Sequence, residues 1–189
     1  EQALALDPNH DDARDELYDL LMELGQNNYE EENYDNALDN FERASELEPD
    51  RCEPHLWMGR TNRAMGNTDQ ALEHLETAQD LQGDCSDQEI AEEIELASQE
   101  QAQDLLAQGI EQYNNEEYDQ ALDTFNRADQ ANPDNPDILY WRGRTNRALG
   151  NNDQAISDLE QALALDPNHD DAHDELYDLL MELGQNNYE

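Results

Sequence analysis

Small and large apolar residues recur along this chain in a fixed order, four times over. Ala37, Ala71, Ala121 and Ala155 are followed four residues later by Phe41, Leu75, Phe125 and Leu159, and three residues after those by Ala44, Ala78, Ala128 and Ala162. Steps of four and three place each triplet on one face of an α-helix. Five residues further on stand Pro49, Gly83, Pro133 and Pro167, residue types that stop a helix or sit just past its end. Twelve residues before each leading Ala is a Gly: Gly25, Gly59, Gly109 and Gly143. It falls in an earlier helix of the same segment, where small residues let two helices approach and larger ones fill the gaps. The pattern predicts helix hairpins in four 34-residue segments, 18–51, 52–85, 102–135 and 136–169.

The segments come in pairs. Segment 52–85 closely resembles 136–169, and 18–51 resembles 102–135. The 34-residue register breaks only before each pair, with sixteen extra residues at 86–101 and seven at 11–17 and again at 170–176. The extra residues read as helix. Ser86–Glu89, "SDQE", has the form of a capping box, in which Ser and Glu satisfy each other's backbone N–H groups. Ile90, Ile94 and Ala97 continue at helical spacing toward Leu105, so one helix is expected from about 86 to 113. Another is expected from about 11 to 28, capped by Asn9 or a neighbour. These first helices project past the regular stack, either to reach a partner or to cover the end of the preceding repeat. The organisation expected is therefore 1–17, the end of a preceding repeat plus the start of an extended helix; 18–85, a first pair; 86–101, a helical extension; 102–169, a second pair; and 170–189, the start of a next unit.

These positions resemble the tetratricopeptide repeat, whose pattern is a Gly and small residues at close helix contacts, a large residue between them, and a Pro ending the second helix. Two positions depart from it. The usual Trp at the fourth place is Leu21, His55, Leu105 and Leu139, and the usual Tyr at the eleventh is Asn28, Asn62, Gln112 and Asn146. The resemblance implies an all-α fold, a right-handed superhelical solenoid of antiparallel helix pairs, with the first helices lining a concave groove that family members use to hold peptides.

Residues 1–30 and 160–189 are the same thirty letters with one change, Arg14 against His173. The first copy opens inside an apolar-periodic helix. The expectation is one full 159-residue unit followed by the start of the next, within a longer tandem array. Solenoid repeats bury their faces only against neighbours, and head-to-tail contacts that do not close give filaments.

Composition narrows the partners. Nine Arg, no Lys and 49 acidic residues give a net charge of −40. Nucleic acid and anionic membranes want clustered basic residues, so neither is expected as a partner. No apolar run approaches the roughly 18 residues of a membrane span. No HExxH, GxSxG or P-loop is present, and no catalytic residue is assigned. The expected partners are proteins, either other copies of the chain in a homo-oligomer or filament, or an acidic peptide. No cofactor is required; Ca²⁺ or other cations can associate with so acidic a surface. A specific candidate is "DPNHDD", which places Asp7, Asn9 and Asp11 at alternate positions, as oxygen ligands turn around a hard cation. The alternative is a loop whose polar residues cap the next helix.

Cys52 and Cys85 bracket one repeat, while its sister has Pro136 and His169 there. Joint presence and joint absence predict a disulfide, and with it an oxidising, extracellular or cell-surface location; the alternative is two free thiols. Arg60, Arg63, Arg144 and Arg147 hold the ninth and twelfth places of two repeats, and Gln26 with Tyr29, and Ile110 with Tyr113, hold those places in the other two. Arg grips carboxylates bidentately and stacks on aromatic faces. These residues are expected either to line a site for an acidic or C-terminal peptide, or to neutralise acids on the next repeat.

Overall fold

The computed structural model describes residues 10–81 and 85–186. Among these residues every regular element is a helix: α1 (Asp11–Glu30), α2 (Tyr34–Leu47), α3 (Glu53–Ala64), α4 (Thr68–Leu81), α5 (Asp87–Asn114), α6 (Tyr118–Ala131), α7 (Pro136–Ala148), α8 (Asn152–Leu165) and α9 (Asp170–Asn186). Packing divides the chain into two compact units, Glu1–Ser98 and Gln99–Glu189, with α5 contributing to both ranges. None of the described helices is long and apolar enough to cross a membrane.

Each hairpin is built as the small–large pattern predicts. The eight repeat alanines are fully buried, together with Phe41, Leu75, Phe125 and Leu159. Gly25 and Gly109 face the rings of Phe41 and Phe125, and a Cβ on Gly59 would lie 2.6 Å from Leu75 Cγ. At Gly143 the corresponding distance to Leu159 is 2.9 Å. No side chain fits there without displacing the large residue opposite.

The turn inside each hairpin closes in one way. The residue at the fifteenth place is left-handed in all four repeats: Glu32 (φ 60), Gly66 (φ 78), Glu116 (φ 64) and Gly150 (φ 78). The next N–H reaches back five residues, Asn33 to Asn28 O at 2.8 Å, Asn67 to Asn62 O at 2.9 Å, Glu117 to Gln112 O at 2.9 Å and Asn151 to Asn146 O at 2.8 Å. This is the C-terminal cap that satisfies the last carbonyls of a helix. Between hairpins, Asn135 Oδ1 accepts from the N–H groups of Asp137 and Ile138, and Pro136 opens α7. His10 caps α1, its Nδ1 accepting from Ala13 N–H.

In the first unit, one core joins Tyr18, Leu21 and Met22 of α1 to Phe41 of α2 and Met58 of α3. Another joins Leu56, Leu75 and Ala78 to Ile90 and Ala97 of α5. The 86–97 extension therefore covers the preceding hairpin. Glu89 N–H donates to Ser86 Oγ at its start. In the second unit, Leu105, Ala128 and Ile138 pack together. Leu139, Leu159 and Ala162 are covered by Ala172 and Leu179 of α9, so the 170–176 extension plays the same covering part.

Trp57 and Trp141, each at the sixth place of its repeat, are spacers between hairpins. Trp57 stacks on Phe41 at 5.8 Å and meets Tyr29 edge-on at 5.5 Å. Trp141 stacks on Phe125 at 6.5 Å and meets Tyr113 at 5.4 Å. Cys52 and Cys85 are joined as a disulfide with Cα atoms 6.0 Å apart, tying the start of α3 to the segment before α5.

Candidate functional site

The arginines of the ninth and twelfth places stand on the first helix of their hairpin and reach the first helix of the next. In the first unit Arg60 meets Glu89 at 2.5 Å and Glu93 at 2.8 Å, and Arg63 meets Glu93 at 3.1 Å. In the second unit Arg144 meets Glu175 at 3.2 Å, while Arg147 meets Glu175 at 2.6 Å and Glu182 at 3.0 Å. Burial works against the charge of Arg60, but hydrogen bonds to Glu89 and Glu93 outweigh it and raise its pKa. The hydrogen bond to Glu175 likewise raises the pKa of Arg147.

Aromatic rings complete each cluster. The Arg60 guanidinium lies over Trp57 at 5.0 Å, and Trp57 touches Tyr29. Arg144 lies over Tyr113 at 5.0 Å and Trp141 at 4.8 Å. The structure thus gathers Arg60, Arg63 and Tyr29 in one unit and Arg144, Arg147 and Tyr113 in the other. Of the two expectations for these arginines, the geometry displays the intramolecular one. The guanidiniums bind carboxylates of the next repeat, so an acidic peptide would have to displace them.

Asp7 and Asn9 of the calcium candidate lie outside the described residues. Asp11 is exposed and pairs with Arg14 at 3.1 Å. In the second copy of the loop, Asp166 Oδ1 accepts from Asn168 N–H at 3.0 Å, the turn-and-cap arrangement. Among the described residues no three His, Cys, Asp or Glu side chains come together as a metal cluster.

The duplicated segment is the most informative surface. Helices α1 and α9 carry the same letters at 11–27 and 170–186 apart from Arg14 and His173, yet they bury opposite faces. Tyr18 is 2% exposed and Leu21 3%, whereas their counterparts Tyr177 and Leu180 are 64% and 49% exposed. Conversely Leu20 is 50% exposed and its counterpart Leu179 only 1%. Phe41 fills the space at Gly25, while nothing lies within 4 Å of the Cβ position at Gly184. Glu175 and Glu182 hold Arg147, and the matching Glu16 and Glu23 of α1 are exposed. One helix sequence thus has two built docking faces. Each is occupied once in the described residues, on different copies.

Two polar features escaped the sequence reading. The asparagines and glutamine at the eleventh place are matched by polar residues at the twenty-third: Gln112 accepts from Thr124 at 2.7 Å, and Asn146 donates to Asp158 at 2.9 Å. At the same interface Arg142 bridges Asp158 and Asp129, both at 2.6 Å. In the first unit His74 holds the place of Asp158, and its Nδ1 lies 3.5 Å from Nδ1 of His55. The signal lay in aligned columns, where polar letters recur in step on paired helices.

Comparison with known families matches residues 106–173 to the tetratricopeptide repeat model. Residues 21–108 match the model described as regulator of microtubule dynamics protein 1-3. No curated protein sequence matches. Similar solved structures include MamA protein, 20% identical over 89% of this chain and 84% of that one, TM-score 0.43. PilF of Pseudomonas aeruginosa is 20% identical over 92% and 72%, TM-score 0.42. The TPR2AB domain of yeast Sti1, solved as a complex with pHSP90, is 14% identical over 90% and 85%, TM-score 0.43.

Proposed function

We propose that this chain, whose repeats are tetratricopeptide repeats, is a non-enzymatic protein–protein interaction scaffold whose units continue end to end with further copies of the same unit. The observation that carries the reading is the pair of opposite faces on α1 and α9. Residues Tyr18, Leu21, Met22 and Gly25 receive the Phe41 face of α2. The identical Tyr177, Leu180, Met181 and Gly184 are exposed and can receive a helix of the same pattern. The exposed Leu20, Leu24, Glu16 and Glu23 of α1 match the face that α9 seats against α7 and α8. A repeat bearing the Arg144 and Arg147 pair supplies the charge complement to the two glutamates. Contacts of this kind are heterologous and propagate.

Electron microscopy of unfractionated native material, with light scattering for mass, tests the reading. Long particles with a regular axial repeat support it. A uniform short particle of one mass overturns it, and the arginine clusters then become the place to seek an acidic peptide. The Cys52–Cys85 bond further supports an oxidising, extracellular or cell-surface location. Native material extracted under a thiol-blocking agent should migrate differently before and after reduction; unchanged mobility would count against that location.

A further inference from the structure

We propose that His55 and His74 form a binding site for a borderline transition metal, Zn²⁺ in the first instance, at the interface between the first two hairpins. The two imidazoles come from different helices, α3 and α4, and turn their Nδ1 atoms toward each other at 3.5 Å. Two facing ring nitrogens have two ways to coexist. Either one donates a proton to the other's lone pair, or one metal takes both lone pairs. Two nitrogens bound at about 2.0–2.1 Å to a tetrahedral ion lie about 3.4 Å apart. The observed separation of 3.5 Å matches the spacing that a single Zn²⁺ requires of two nitrogens.

The second unit shows what the site replaces. There the equivalents of His55, His74 and Met58 are Leu139, Asp158 and Arg142. The Arg142 guanidinium spans Asp158 and Asp129 and supplies a positive charge between the helices. In the first unit no arginine stands there. A cavity of about 340 Å³ opens instead, lined by both histidines, Met58, Ser45 and Glu42. The two imidazoles select a nitrogen-preferring metal over Ca²⁺ or Mg²⁺. The described residues bring no third His, Cys, Asp or Glu ligand into place. Water completes the shell, and Glu42 on the cavity wall is a carboxylate able to swing in.

The test uses the full chain, stripped with chelator and kept in excess Mg²⁺ and Ca²⁺ so that the acidic surface is saturated. Calorimetric titration with Zn²⁺ should show one site per chain with Kd on the order of micromolar. His55→Leu, which installs the residue of the sister repeat, and His74→Asn should each weaken that site about tenfold or more. His173→Arg, which copies Arg14, should leave it unchanged. Circular dichroism confirms that each variant is folded. Absence of a saturable site, or a site indifferent to both His55→Leu and His74→Asn, overturns the proposal.

Discussion

Gly25 and Gly184 occupy the same place in the same local sequence, and their surroundings alone give them opposite roles. Gly25→Ala drives a methyl into the Phe41 ring and should cost about 1–3 kcal/mol, read as a lower midpoint in urea unfolding. Gly184→Ala meets open space and should raise helix stability by up to about 1 kcal/mol. It should also block end-to-end assembly, because the methyl fills the seat of the incoming large residue. Loss of stability at Gly184 would mean that its face is already covered. The left-handed fifteenth place offers a second contrast. Gly150→Ala should cost about 1–2 kcal/mol, since a Cβ is disfavoured at positive φ. Glu116, held at φ 64, should accept Gly with little or no loss, as thermal midpoints would show.

Between helices, polar pairs hold neighbouring hairpins in register. Glu175 receives both Arg144 and Arg147. Glu175→Gln should therefore loosen α9 from α7, by about 1–2 kcal/mol at low salt and less at high salt. Hydrogen exchange along α9 is the direct measure. The histidine pair gives this level a pH dependence. Burial lowers the pKa of His55, and the neighbouring His74 lowers it further; burial also lowers that of His74, against the opposing pull of Glu73 and Glu42. Folded histidines then hold fewer protons than unfolded ones, so stability is full above the unfolded value of about 6.5 and falls as pH drops below it. Denaturation in chelator between pH 7.5 and 5.5 should show this slope, and His55→Leu should flatten it. No slope difference between the two chains would exclude the pair as its source. The columns of small and large letters revealed these helices in the sequence, but not the identity of the residues facing each other across them.

The whole molecule carries −40 net charge, which opposes compaction by self-repulsion. Much of its basic complement lies at joints between successive helices. The disulfide adds a constraint spanning 33 residues. Reduction should lower the stability of the first unit by about 3–4 kcal/mol in the chain-entropy model and leave the second unit unchanged. Parallel unfolding probes at Trp57 and Trp141 separate the two. Equal shifts at both would mean that the units unfold together.

The sequence by itself determined the repeat, because small and large residues at helical spacing leave one way for two helices to pack, and because Pro and Gly mark where they stop. It also revealed the duplicated ends. Only the tertiary structure decided which face of the duplicated helix is used at each end, because identical letters carry both faces and the neighbours choose between them. The tertiary structure likewise directed the arginines inward to Glu93 and Glu175. A residue type specifies that it can grip a carboxylate, but which carboxylate lies within reach depends on how one hairpin is set against the next.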